Sequence, residues 1–194
     1  MNHEDSTRIV AIVEARMSSS RLPGKHLLNA NGKPMIQHLI ERLKTISLID
    51  EIVVATTTKA TDDKLVDFVS TIGAKVFRGS ENDVMGRVVE AGRTFDAEVV
   101  CEVTGDCPIV DPELIEQLIQ TFLVNEAVYA NNGSYGLPDG MGSQVFHWSS
   151  LEQSSRMTQQ PLDREHVTLH MRNHPELFRP MYITAPRSIN WPGL

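Results

Sequence analysis

The sequence predicts an α/β protein with a largely parallel sheet covered by helices on both faces. Three observations carry this. Short apolar runs that read as buried strands alternate with stretches of helical periodicity. The helical stretches begin and end at turn or capping residues. At 194 residues, with 41% hydrophobic and 22% charged residues, the chain is long enough for one substantial core.

The elements follow in order. Arg8 to Val13 is an apolar run expected as a buried strand. From Pro34 to Ile46, residues Met35, Ile36, Leu39, Ile40, Leu43 and Ile46 fall on one helical face, with Pro34 suited to a first turn. Glu51 to Thr56 is a second strand, Thr61-Asp62-Asp63 opens a helix through Ile72, and Gly73 closes it. Lys75 to Phe77 is a short strand. Asn82 or Asp83 caps a helix carrying Val84, Met85, Val88 and Val89. Ala97 to Val103 returns to the sheet, and Pro112 starts a helix with Leu114, Ile115, Leu118, Ile119 and Leu123 inward. Beyond Tyr129 the pattern loosens through Asn131-Asn132-Gly133 and Pro138-Asp139-Gly140. A strand is expected near Ser143 to Trp148, with helices near Ser149 to Arg156 and Arg164 to Asn173.

Composition narrows the function. No run of about 18 apolar residues is present and the first residues are polar, so neither a membrane span nor a secretory signal is expected, and the protein reads as cytoplasmic. A net charge of -7 argues against a nucleic-acid polymer as partner. Cys101 and Cys107 lack metal-type spacing and read as reduced thiols without a catalytic task.

Against that acidic background, residues 15–25 stand out. This loop, placed after the first strand, holds Arg16, Arg21 and Lys25 together with Ser18, Ser19 and Ser20. Small residues let backbone N–H groups approach a polyanion, while the arginines and the lysine supply charge and donors. Ligands of open α/β sheets sit at such carboxyl strand ends. Pro23-Gly24 sets a turn that presents Lys25. Neither a P-loop nor a dinucleotide fingerprint is present: His26 follows Lys25, and Gly140-Met141-Gly142 lacks a third glycine. Thr104-Gly105-Asp106 follows another strand at the same sheet edge, where one carboxylate beside a phosphate loop can hold Mg²⁺. The four-residue spacing of His166, His170 and His174 could bind metal, but Val167 stands where a metalloprotease helix carries glutamate.

With Leu27, Leu28 and Gly32-Lys33-Pro34-Met35-Ile36, residues 15–25 resemble the A-R-x-x-S-x-R-L-P-G-K-x-L signature of the cytidylyltransferases. That group contains the CMP-Kdo and CMP-acylneuraminate synthetases, and the likeness is nearest to its spore-coat polysaccharide biosynthesis protein F branch. Further matches run in order through Phe77–Val84, Val103–Pro108, Pro138–Gly140 and Arg164–Thr168, covering nearly the whole chain. The resemblance implies a three-layer α/β/α, Rossmann-like nucleotide-diphosphosugar transferase fold. It implies transfer of CMP from CTP to a sugar, one of acidic type, with release of pyrophosphate, for surface polysaccharide synthesis. It places Ala15, Ser18, Ser20, Arg21, Lys25, Ser80, Asp83, Arg87 and Thr104 at the nucleotide, and Arg16, Arg21, Lys25 and Asp106 at the chemistry. Mg²⁺ would sit on Asp106, while Asp139, Gln144, Arg164 and His166 would face the acceptor. Relatives are commonly homodimers.

Three departures from the pattern follow. The branch's P-D-G-x-D-V-E-V-F becomes Pro138 to Phe146 with Gly142 and Gln144 at two acidic positions, and Glu14 replaces a Gln or Pro. Glu14 could position metal or water. One domain over 1–194 is expected, ending before a strand that in the family brings a second metal-binding aspartate. The rival classes are an inactive or weakly active nucleotide-binding relic and a sugar-nucleotide-dependent glycosyltransferase. The latter normally carries D-x-D, which Asp62-Asp63 is not.

Overall fold

The computed structural model describes residues 7–19, 21–133 and 136–186. Its centre is a seven-stranded sheet in which one strand, β8, runs against the rest. β1 (Ile9–Glu14) lies between β4 (Glu51–Thr57) and β6 (Val99–Thr104), and β5 (Lys75–Gly79) flanks β4, all four parallel. β8 (Gln144–His147) pairs antiparallel with β6 and with β7 (Tyr129–Asn131), and β9 (Pro180–Tyr182) completes the far edge beside β7. The expected mostly parallel sheet is present, with the reversal confined to its C-terminal part.

Every β1 residue from Ile9 to Val13 is buried, because helices cover both faces of the sheet. Ala11 and Val13 pack with α1 (Met35–Leu43), α2 (Asp63–Thr71) and α4 (Pro112–Val124). Val10 and Ile12 pack on the other face with α3 (Val84–Thr94), α5 (Trp148–Met157), α7 (Leu169–Asn173) and α8 (Pro175–Phe178). The alternation along one strand therefore feeds two cores.

The chain differs from the sequence expectation in four places. Pro34 belongs to a small hairpin, β2 (Asn29–Ala30) and β3 (Lys33–Pro34), turned by Asn31-Gly32 with positive φ at both, and α1 begins after it. The helix expected from Thr61 starts as a 3-10 turn over Ala60–Asp62 that buries Asp62. In the C-terminal part, β7, α8 and β9 have no counterpart in the expectation. The helix expected over Arg164 to Asn173 is broken in two, α6 (Pro161–Glu165) and α7, separated by His166, Val167 and Thr168. Val167 turns into the core and the Thr168 hydroxyl donates to Gln144 Oε1, so the helical path is interrupted by burial and a hydrogen bond. His166 accordingly stands apart from His170 and His174, whose rings lie 4.2 Å apart between centroids. No cluster of three or more His, Cys, Asp or Glu suited to a metal occurs among the described residues, and none of the described helices is long and apolar enough to cross a membrane.

Candidate active site

Two loops at the carboxyl ends of β1 and β6 close on one another to form a cleft. Gly105 N–H donates to Glu14 O at 2.9 Å. A Cβ on Gly105 would lie 2.6 Å from that same oxygen, so the approach requires glycine. His26 is buried beneath; its Nδ1 is 3.1 Å from Gly105 O and therefore carries the proton that it donates there. Burial pushes the His26 imidazole below its usual range.

The basic loop is fixed from two further directions. Gly24 adopts φ 74° and its N–H donates to Met17 O at 2.9 Å, which folds the loop back on itself. Asp62 is fully buried and its carboxylate accepts from Met17 N at 2.8 Å, Thr56 Oγ1 at 2.9 Å and Thr57 N at 3.1 Å, with Thr57 Oγ1 also donating. Burial raises its pKa, but the hydrogen bonds from Thr57, Met17 and Thr56 outweigh burial and hold it below the usual aspartate range. Glu81, in the turn between β5 and α3, accepts from Ser18 Oγ at 2.7 Å, lies 3.7 Å from Arg16 and pairs with Lys59.

The resulting cleft encloses about 300 Å³. Ala15, Arg16, Arg21, Lys25, Arg87, Thr104, Asp106 and His166, all singled out from sequence, line it. Asp106 pairs with Lys25 across its floor. Burial raises the Asp106 pKa, yet the Lys25 ammonium more than offsets this and keeps the carboxyl below its ordinary value. The cleft thus gathers three cationic side chains from the β1 loop and Arg87 with the carboxyl groups of Asp106, Glu14 and Glu165, a distribution suited to a polyanion with a divalent cation.

A second pocket of about 250 Å³ adjoins the first at Thr104. Asp139 and Gln144 line it with Glu102, Asn131 and Arg172. Gln144 is held by a buried polar network: its Nε2 donates to Glu102 Oε2 at 2.9 Å, and its Oε1 accepts from Tyr129 Oη and Thr168 Oγ1. The Arg172 side chain makes no hydrogen bond or close ion pair among the described residues; its Nε is buried, and its charge acts on the neighbouring Glu102.

Some expected residues lie elsewhere. Ser18 turns its hydroxyl to Glu81, and Ser20 lies outside the described residues. Ser80 and Asp83 line a neighbouring groove, where Asp83 Oδ1 caps α3 by accepting from Gly86 N at 2.8 Å. Arg164 does not line the second pocket. Its guanidinium donates to Ser155 O at 2.8 Å and to Asp83, tying α6 to α5 and α3, because a forked donor half-buried between helices takes the carboxylate and carbonyl beside it. His166 lines the first cleft, not the second. Sequence reasoning missed Asp62, Glu81, His26, Glu102 and Arg172. Asp62 carried only the signal of a helix start, and Arg172 none at all.

A fold and cleft of this kind define a nucleotidyltransferase-like α/β protein. The chain belongs to the cytidylyltransferase family, whose profile matches residues 10–188. The spore coat polysaccharide biosynthesis protein SpsF of Bacillus subtilis is 36% identical over 191 residues, covering 95% of this chain and 78% of that protein. The 3-deoxy-manno-octulosonate cytidylyltransferase of Trichlorobacter lovleyi is 40% identical over 120 residues, covering 61% of this chain but 46% of that enzyme. A solved cytidylyltransferase from Leptospira borgpetersenii superposes with a TM-score of 0.90 at 30% identity, over 93% of this chain and 77% of that one.

Proposed function

We propose that this cytidylyltransferase moves CMP from CTP to a sugar bearing a carboxylate, releasing pyrophosphate, and that the product feeds a surface polysaccharide. The observation that carries the acidic acceptor is Arg172, a guanidinium without a close ion pair in the pocket that adjoins the basic cleft at Thr104. The Arg172 guanidinium is half-buried with its Nε unsatisfied, so a ligand that supplies a counter-charge and acceptors completes it, and the guanidinium fork matches a carboxylate in geometry.

In the first cleft Arg16, Arg21 and Lys25 bind the triphosphate and stabilise charge as it shifts toward the leaving pyrophosphate. The loop serves this because Asp62 and Glu81 fix it before substrate arrives, so little reorganisation is left to the reaction. The acceptor hydroxyl attacks the α-phosphorus in line, and no protein nucleophile is needed. The residues suit Mg²⁺: Asp106 offers one ionised, 40% exposed carboxylate at the phosphate cleft, and Mg²⁺ commonly takes one or two carboxylates with phosphates and water. When bound there, the ion would neutralise part of the triphosphate charge.

Pyrophosphate release from CTP is the test, with acceptor sugars supplied as free acids and as their methyl esters. Turnover restricted to the acids supports the reading. Equal turnover of the esters would sink the acidic acceptor, and no turnover with any sugar would sink the transfer reaction.

A further inference from the structure

Three buried side-chain atoms without a hydrogen-bond partner, Glu14 Oε1, Arg87 Nε and Arg172 Nε, belong to one row of charged groups on the sheet face covered by α3 and α7. Glu102 completes the row. In the β1–β6 register Ile12 pairs with Glu102 and Glu14 with Thr104, so Glu14 and Glu102 project from the same face as diagonal neighbours. Their carboxyls lie within reach of each other, and two carboxyls so placed can hydrogen-bond only by sharing a proton. Glu14 lines the basic cleft and Glu102 the second pocket, so the pair stands on the boundary across which an acceptor must reach the nucleotide.

We propose that Glu14 is the general base of the transfer, accepting the proton of the acceptor hydroxyl, and that protonated Glu102 is the residue that positions it. The inference rests on the cytidylyl-transfer reading. In the step, the acceptor O–H bond breaks and its proton goes to the free Glu14 carboxylate oxygen. The acceptor oxygen bonds the α-phosphorus, and the α-phosphorus–oxygen bond to pyrophosphate breaks with its electron pair leaving on pyrophosphate. Solvent then removes the proton from Glu14. Glu102 Oε2 accepts from Gln144, which leaves its other oxygen to hold the proton directed at Glu14. Gln144, itself anchored by Tyr129 and Thr168, thereby sets the orientation of the pair.

The surroundings favour that distribution. Burial raises the pKa of both carboxyls, Glu102 well above its ordinary value, and two adjacent carboxyls in a dry layer cannot both ionise. Facing Glu14 are the Arg87 guanidinium from α3, which favours its ionised form, and Asp106 from the β6 loop, which opposes it. Facing Glu102 are Arg172 from α7 and the Tyr129 phenol from β7, the latter pushed up to about 12 chiefly by burial. A carboxylate whose pKa is raised by burial is a stronger proton acceptor than a solvated one.

The experiment compares Glu14→Gln, Glu102→Gln and Glu102→Leu by pyrophosphate release across pH, by CTP binding, and by the infrared stretch of a protonated carboxyl at neutral pH. A glutamine at 102 can still donate to Glu14 and accept from Gln144, whereas leucine can do neither. The expected result is a loss of about 10²–10⁴-fold in kcat for Glu14→Gln, with CTP affinity retained and the acidic limb of the pH profile gone. Glu102→Gln should cost under about ten-fold and Glu102→Leu far more, and the protonated-carboxyl stretch should vanish in both Glu102 variants. Full kcat in Glu14→Gln, or no protonated stretch in the wild type, would overturn the inference. A wild type that shows the stretch yet releases no pyrophosphate with any acceptor would overturn the transfer reading and the base role with it, while leaving the shared proton standing.

Discussion

The two pockets are built in opposite ways. The basic cleft draws most of its charge from one continuous loop after β1, facing a short second loop after β6 across the parallel part of the sheet. The second pocket gathers Glu102, Asn131, Asp139, Gln144 and Arg172 from β6, β7, β8, a loop and α7, where the sheet contains its one reversed strand. In the first, chain continuity brings the groups together, and secondary contacts such as Asp62 only fix their pose. In the second, tertiary folding does all of the assembly, and the polar groups are held by a buried network around Gln144. The first is therefore set by one local segment, whereas the second depends on elements distant in sequence being docked together.

The largest effect should come from the cleft. Arg21→Ala and Asp106→Ala are each expected to lower kcat/KM for CTP by about 10²–10³-fold, the range for removing one charge-stabilising group, measured by pyrophosphate release; full activity in both would end the assignment of the cleft to the triphosphate. Next comes the contact that poses the loop. Asp62→Ala leaves the Met17 and Thr57 N–H groups and the Thr56 hydroxyl without their acceptor and should cost about 3 kcal/mol in denaturant unfolding. Since the folded carboxyl titrates below its ordinary value, its contribution is fully present above about pH 3.9 and is lost as pH falls through the lower folded value. Asp62→Asn should accordingly flatten the acid side of the stability profile.

Arg172→Leu separates the pockets. It should raise the acceptor KM by about 10–100-fold, the equivalent of a charged hydrogen bond, and leave the KM for CTP unmoved in initial-rate kinetics. If both constants shift together, the division into two pockets fails. The smallest expected effect is at Gly105→Ala, where the new methyl meets Glu14 O. Parting the two loops should cost about 1–3 kcal/mol in thermal or denaturant unfolding.

What the sequence disclosed follows the same division. Residues 15–25 and Thr104-Gly105-Asp106 were legible because each functional group lies next to the strand that delivers it. The strands and helices through Val124 were legible because fully buried strands read as apolar runs and their covering helices keep one apolar stripe. Arg172 was hidden because its site is completed by residues remote in sequence, and Asp62 because an acidic residue before a helix looks like a cap until its burial is known. Arg164 to Asn173 has helical spacing, yet Val167 and Thr168 were taken by the core and by Gln144, a competition that no local pattern records. The Asn31-Gly32 hairpin was readable from its dipeptide and was passed over in favour of the helix behind it.

The basic cleft as a CTP site is tested most directly by calorimetric titration of CTP against ATP and GTP, with and without Mg²⁺. The predicted result is binding selective for CTP, strengthened by Mg²⁺, and lost in Arg21→Ala. Equal affinity for all three triphosphates, or no binding of any, would contradict it.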